Sequence, residues 1–284
     1  MMRLRHSMHQ LNEMLKSDRF NIPIHLGFGY EAAAVAMDLT MEPADVLCLT
    51  HRNAAYNLAR SKSLPKVLWH YRLEARPDGM AQLGSMNLAV ENTGIAYSSS
   101  ILGNDLAVAA GIALNRKLTG RDGIAFVTTG DGAMEEGVFW ETMIFARTHR
   151  LGVVIVVENN DCSMSSSIAE RRSAIDLSLV CAGLGVAYRR CGGGVLCDIK
   201  SALSAARAEA ALGRPAVVEL DITTFNQHAG PTPGWPTDPM RISIEDGLLM
   251  TGEGEDPLRL VHDALGAEAF ARLADLVIRE NRVG

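Results

Sequence analysis

Two stretches decide the fold: Ile124-Ala125-Phe126-Val127-Thr128-Thr129-Gly130-Asp131-Gly132 and Gly152-Val153-Val154-Ile155-Val156-Val157-Glu158-Asn159-Asn160. Residues 124–129 and 152–157 are short apolar runs rich in branched side chains, the pattern of strands buried on both faces. Gly130-Asp131-Gly132 reads as a tight turn, and the spacing over 137–149 predicts a helix between the two strands. A strand, a helix and a second strand in that order force a parallel pair, and a parallel sheet needs helices on both faces. Further out, the spacing predicts helices over 31–39, 106–117 (closed by Gly120) and 199–212, and strands over 45–49 and 216–222. We therefore expect an α/β fold of three layers, a parallel sheet between helices. It is read as a single domain over 1–284, with a helical arm over about 1–20 and a helical tail over about 255–284. Residues 225–246 are rich in Pro and Gly, and a loop of that length in a compact domain is usually functional or disordered.

Composition narrows the function. The chain has 284 residues, 48% apolar and 21% charged, which is a globular balance. Its 27 basic and 33 acidic residues give −6 with no basic stripe, so no nucleic-acid partner is expected. The longest apolar stretch, 151–157, is far short of the about 20 residues of a spanning helix, so no membrane partner is expected. Residues 1–16 form amphipathic turns without the continuous apolar core of a secretory signal. Five scattered cysteines, Cys48, Cys162, Cys181, Cys191 and Cys197, read as reduced thiols and lead to a cytoplasmic expectation.

In an open parallel sheet, ligands bind outside the carboxyl ends of the strands. Those ends carry Gly130-Asp131-Gly132, Asn159-Asn160 and the loop after Ile222. Glycines let the backbone approach a ligand closely, and the following helix is expected to offer free amides and a positive dipole end, which suits a phosphate. A carboxylate beside a phosphate repels it unless a cation lies between, so Asp131 points to Mg²⁺ held against a diphosphate. The side-chain oxygen of Asn160 can supply a second ligand. Asp-Gly or Asn-Asn alone would merely make a turn; both at successive parallel-strand ends favour a site.

Gly130-Asp131-Gly132, then 26 residues, then Asn159-Asn160 resembles the thiamine diphosphate fingerprint. The surrounding text, Asp131-Gly132-Ala133, Glu136-Gly137, Glu141 and Val157-Glu158-Asn159-Asn160, is similar to the alpha subunit of the decarboxylating component of 2-oxo acid dehydrogenase complexes (the pyruvate, branched-chain and acetoin type). The resemblance runs over about 25–257. It implies thiamine diphosphate and Mg²⁺ as cofactors, with Asp131, Asn160 and the backbone carbonyl of Cys162 on the metal. It places amides of Gly132 and Ala133 and the side chain of Arg52 on the diphosphate. His51 falls where the family often has Tyr, and the Ser100–Gly103 segment, with Ser100 and Leu102, falls where backbone meets the aminopyrimidine. His25 and His228 correspond to two histidines of the active-site channel, with roles in hydrogen bonding to substrate and in proton transfer; either could instead be structural.

The same resemblance implies partners. Such a chain holds the diphosphate, while a beta subunit grips the aminopyrimidine and gives its ring nitrogen a glutamate. The expected assembly is a heterotetramer of two copies of each, acting on a small-molecule substrate with a lipoyl-bearing acyl carrier downstream. Obligate interfaces of this kind bury about 2,000–5,000 Å². Some residues depart from the family. Ala229 stands where a Ser usually follows the second histidine, which excludes phosphorylation there; Asn226-Gln227 replaces His-Gly, and 231–238 is Pro-rich and includes Trp235. These changes leave open a transketolase-like ketol or acyl transferase with the same cofactor; a non-catalytic scaffold of this fold is the third possibility. Gly27-Phe28-Gly29-Tyr30-Glu31-Ala32 fits a dinucleotide fingerprint formally, but Pro23 interrupts the segment before it. Cys191-Gly192-Gly193-Gly194 reads as a connecting turn in preference to an anion site.

Overall fold

A computed structural model describes residues 1–17, 24–71, 88–226, 242–251 and 254–281. Helix α1 (Met2–Lys16) is followed by α2 (Glu31–Thr40), β1 (Val46–Leu49), α3 (Ala54–Ser61), α4 (Leu64–Tyr71) and β2 (Ile95–Ser98). Then come α5 (Asn104–Thr119), β3 (Ala125–Gly130), α6 (Gly137–Thr148), β4 (Val153–Asn159), α7 (Ile168–Arg171) and α8 (Leu177–Leu184). The chain continues through β5 (Ala187–Gly192), α9 (Leu196–Ala211), β6 (Ala216–Asp221), α10 (Pro257–Leu265) and α11 (Ala267–Glu280). The six strands form one sheet in the order β2-β1-β3-β4-β6-β5, with every neighbouring pair parallel. The expected α/β class and three-layer arrangement are borne out.

Strand alternation builds the two cores. On β4, Val154 and Val156 face a layer made of α1, α2, α3, α4 and α9, while Val153, Ile155 and Val157 face α5, α6 and α8. The buried side chains of α2 (Ala32, Ala33, Ala36) and α9 (Ala202, Ala206, Ala210) are small, which lets those helices lie close together on the first face. The region expected as an N-terminal arm is α1, and it is packed into the body: Met8 and Leu11 are fully buried and Leu15 nearly so. Arg5 on the same helix is also fully buried, paired with Glu31 of α2 and with Asp256, the N-cap of α10. Helix α5 stops at Gly120, whose left-handed φ of +64° closes the C-terminus as the sequence predicts. Among the described residues no helix is long and apolar enough to cross a membrane.

The connections place the site. From β1 the chain crosses by α3 and α4 to β2 at one edge, then returns by α5 to β3 on the other side of β1. Between β1 and β3 the direction of winding therefore reverses, and above such a switch point the loops diverge and leave a crevice.

Candidate functional site

A cavity of about 480 Å³ lies over the carboxyl ends of β1, β2, β3 and β4, within the size range of cofactor pockets. Around it the structure brings together His51 and Arg52 after β1, Ser100 and Leu102 after β2, Asp131, Gly132 and Ala133 after β3, and Asn160 and Cys162 after β4. His25 lines it as well. Each expected site residue in the described part of the chain is thus at one cavity; His228 lies outside the described residues.

Asp131 opens a short 3-10 turn, Asp131–Glu135, and its side chain is 1% exposed. The helix predicted over 137–149 is borne out, and a 3-10 turn that the sequence reading did not include stands between it and the glycine turn. Glu136 is extended (φ −90°, ψ 138°), so α6 begins only at Gly137 and the amides next to the cavity belong to the 3-10 turn. A Cβ on Gly132 would sit 2.6 Å from Ser163 Oγ, so only a glycine gives the backbone this close seat beside the loop after β4. The Asp131 carboxylate accepts a hydrogen bond from Arg171 Nη2, while Arg171 Nε donates to Glu135 Oε1 at 2.9 Å.

Asn160 is held by its nitrogen. Its Nδ2 donates to Thr224 Oγ1 at 2.9 Å and to Tyr30 Oη at 3.1 Å, which fixes the direction of Oδ1. That oxygen accepts from the Cys162 N–H at 3.2 Å and keeps a second lone pair. Arg52 is positioned by donating from Nη1 to the Leu26 carbonyl at 2.7 Å and by lying over the Tyr30 ring, 5.5 Å from its centroid. Tyr30 thus supports both the Asn160 amide and the Arg52 guanidinium. Burial pushes the Tyr30 phenol up to about 12, which keeps it a neutral hydroxyl.

The sequence reading missed Tyr30, Thr224, Arg171 and two carboxyls in the cavity lining. Glu158 is 4% exposed and accepts a hydrogen bond from the Tyr56 hydroxyl. Burial pushes it up to about 7, against the opposing pull of that bond and of Arg52. Asp105, in the first turn of α5, is 1% exposed, and neither oxygen meets a donor of ordinary geometry among the described residues. Burial raises it to about 7 too. The signal available for Glu158 was a carboxylate at the end of an apolar strand; for Asp105 it was an acidic residue just after the Ser100–Gly103 segment.

The rings of His25 and His51 meet edge to face at 4.6 Å. Asn226, which stands at a family departure, docks on the same region: Oδ1 accepts from the Phe28 N–H and Nδ2 donates to the Leu26 carbonyl, both at 3.1 Å. Asn226 and Arg52 thus share the Leu26 carbonyl as an acceptor. The dinucleotide-like glycines have another use. Gly29 has φ +103° and packs against residue 223, where a Cβ would lie 1.9 Å from the Thr223 carbonyl oxygen, and its N–H is taken by Glu31 at 2.9 Å. At the other glycine run, the Gly193 N–H bonds the Asp221 carbonyl at 2.7 Å, as a connecting turn does.

The donor set fits a hard cation with a diphosphate. Among the described residues no three His, Cys, Asp or Glu side chains gather at metal-binding spacing. Asp131, Asn160 Oδ1 and the Cys162 carbonyl instead offer the mixed oxygen ligands that Mg²⁺ accepts when phosphates and water complete its shell.

An all-parallel sheet covered on both faces, with a cavity at its switch point that is lined by Asp131, Asn160 and Arg52 among apolar neighbours, defines an α/β protein with the ligand crevice of an open parallel sheet. The fold is shared with transketolase from Leishmania mexicana, which superposes with a TM-score of 0.64 over 99% of this chain and 45% of that one, at 16% identity. The family model described as the dehydrogenase E1 component matches residues 1–234, and the chain belongs to that family. It is 26% identical over 262 residues to the mitochondrial pyruvate dehydrogenase E1 component subunit alpha of Solanum tuberosum, and 24% identical over 250 residues to the corresponding subunit of Rhizobium meliloti. These matches cover 91% and 87% of this chain and 65% and 70% of those relatives. The resemblance read from the sequence is borne out at the level of the family.

Proposed function

We propose that this chain is the alpha-type subunit of a thiamine diphosphate- and Mg²⁺-dependent enzyme that decarboxylates a 2-oxo acid, or cleaves an acyloin, and passes the acyl unit to a lipoyl group. What carries this is the convergence of four strand ends on one cavity, with Asp131 and Asn160 on adjacent parallel strands and Arg52 beside them. When bound, thiamine diphosphate supplies a sink for the electrons released at the reacting carbon. The chain's own residues bind and orient it. Asp131, Asn160 and the Cys162 carbonyl would hold the cation; Gly132, Ala133 and Arg52 would hold the diphosphate; backbone at Ser100 and Leu102 would seat the aminopyrimidine. His25, supported by His51, would hold or pass a proton at the substrate, with His228 as its counterpart.

A beta-type partner that supplies a carboxylate to the aminopyrimidine is part of this reading. Three exposed apolar residues at the cavity, Ile101, Leu102 and Met164 (68%, 47% and 60% exposed), support it, because an apolar rim around a polar site is what an interface covers. The test is to purify the chain with the product of the neighbouring reading frame and offer a panel of 2-oxo acids with an artificial electron acceptor. Parallel assays offer ketose donors with aldehyde acceptors. Acceptor reduction with at least one 2-oxo acid, lost when Mg²⁺ is chelated, is expected; ketol transfer without any such reduction would assign the chain to the transferase class instead.

A further inference from the structure

Asp131 already has a cation. Its carboxylate is 1% exposed, and the group that covers it is the Arg171 guanidinium, 13% exposed, reaching back from α7 beyond the Asn160 loop. A buried carboxylate without a partner is costly, and here a guanidinium offsets that cost. Arg171 Nη2 holds the Oδ2 oxygen of Asp131, and a divalent ion at ligand distance on this carboxylate would meet a guanidinium close enough to repel it inside a protein.

The surroundings offer Arg171 a second place. Its Nε donates to Glu135 Oε1 at 2.9 Å, and Glu135 is also paired with Arg172 at 3.3 Å, so Arg171 can release Asp131 and stay on Glu135. Helix α7 has four residues and buries none of them, so a shift of the Arg171 side chain away from Asp131 uncovers no core.

We propose that Arg171 is the resident counter-ion of Asp131, displaced by the divalent cation when the cavity loads, and that it thereby sets the cation affinity of the site. This rests on the reading of Asp131 as a cation ligand. If the paired arrangement makes up about nine-tenths or more of the unloaded population, only about a tenth of the molecules can accept the ion, and removing Arg171 tightens binding about tenfold or more.

The experiment is a titration of the chain, purified together with the product of the neighbouring reading frame, with Mn²⁺ in the presence of saturating thiamine diphosphate, with free Mn²⁺ read from its paramagnetic resonance signal. Arg171→Met should bind Mn²⁺ at least tenfold tighter than the parent chain. Arg172→Met, which removes a Glu135 partner that does not touch Asp131, should bind as the parent does. Asp131→Asn should lose binding. Should Arg171→Met leave so much of the chain unfolded by circular dichroism that it cannot be titrated, Arg171→Lys takes its place and should tighten binding by a smaller factor. Unchanged or weaker Mn²⁺ binding in the Arg171 variant, with Asp131→Asn still abolishing it, overturns the displacement and leaves the cation site standing. Mn²⁺ binding that is indifferent to Asp131→Asn, or absent from every variant, overturns the cation site and the displacement together.

Discussion

Tyr30→Phe isolates how much of the proposed cation site depends on orientation alone. The hydroxyl accepts from Asn160 Nδ2 at 3.1 Å and from Thr224 Oγ1 at 3.2 Å, whereas the ring supports Arg52 at 5.5 Å. Removing the oxygen therefore loosens the Asn160 amide and leaves the cation–π contact in place. A neutral hydrogen bond contributes about 0.5–1.5 kcal/mol net, and each 1.4 kcal/mol is tenfold in affinity. Thr224 Oγ1 still accepts from Asn160 at 2.9 Å, so the loss stays within one bond. We expect Mn²⁺ to bind about two- to tenfold more weakly, with a further loss in the double variant with Thr224→Val. Binding of pyrophosphate without metal should not change, because Arg52 keeps its ring. Calorimetric titration with each ligand separates the two effects. The reasoning is refuted if Tyr30→Phe leaves Mn²⁺ affinity at the parent value, or if it weakens metal-free pyrophosphate binding by the same factor.

Two further perturbations bear on stability. Arg5→Met would leave the Glu31 and Asp256 carboxylates buried without their guanidinium, whose Nη1 also donates to the Leu248 carbonyl at 2.9 Å. Breaking a buried pair in this way costs about 3–5 kcal/mol, and a denaturant midpoint shift worth less than about 1 kcal/mol would show that the triad is not integral to the fold. For Asp105 the sign follows from burial. Its folded-state carboxyl is raised from 3.8 to about 7, so the native chain binds more protons than the unfolded one between those values and stability falls as pH rises through that window. Asp105→Asn removes the titration; relative to it the parent should lose about 1.4 kcal/mol per pH unit across the window, and parallel stability curves from pH 4 to 8 would contradict the assignment.

The fold was legible where hydrophobic period and turn chemistry agree. The strand-helix-strand unit over 124–160 combines branched apolar runs with glycine turns, and the structure differs there mainly by the 3-10 turn before α6. Several short elements escaped. β2 is a four-residue edge strand, Ile95-Ala96-Tyr97-Ser98, half exposed and without a clean alternation, and α3 and α4 have eight residues each, too few for the helical period to rise above the noise. Strand order could not be read at all, because it depends on which face each crossover takes.

The site shows the same division at finer scale. Residues that would touch the ligand sit at strand ends in contiguous motifs, so Asp131 and Asn160 were visible from the sequence pattern, and Arg52 through the family resemblance. The residues that aim them are brought in by crossings with no local signature: Tyr30 arrives 130 positions before Asn160, and Arg171 lies 40 positions beyond Asp131. A tyrosine that caps a glycine turn and an arginine in a polar loop look ordinary until the sheet order sets them against those strand ends. Asn226 illustrates the consequence. As a letter it is a departure from the family's histidine, yet its amide makes two backbone bonds, with Phe28 and Leu26, that hold residue 226 beside the backbone that positions Arg52. The positions where this chain differs from its relatives are thus least interpretable in sequence where their work is to hold another residue, and geometry is what converts them into assignable parts.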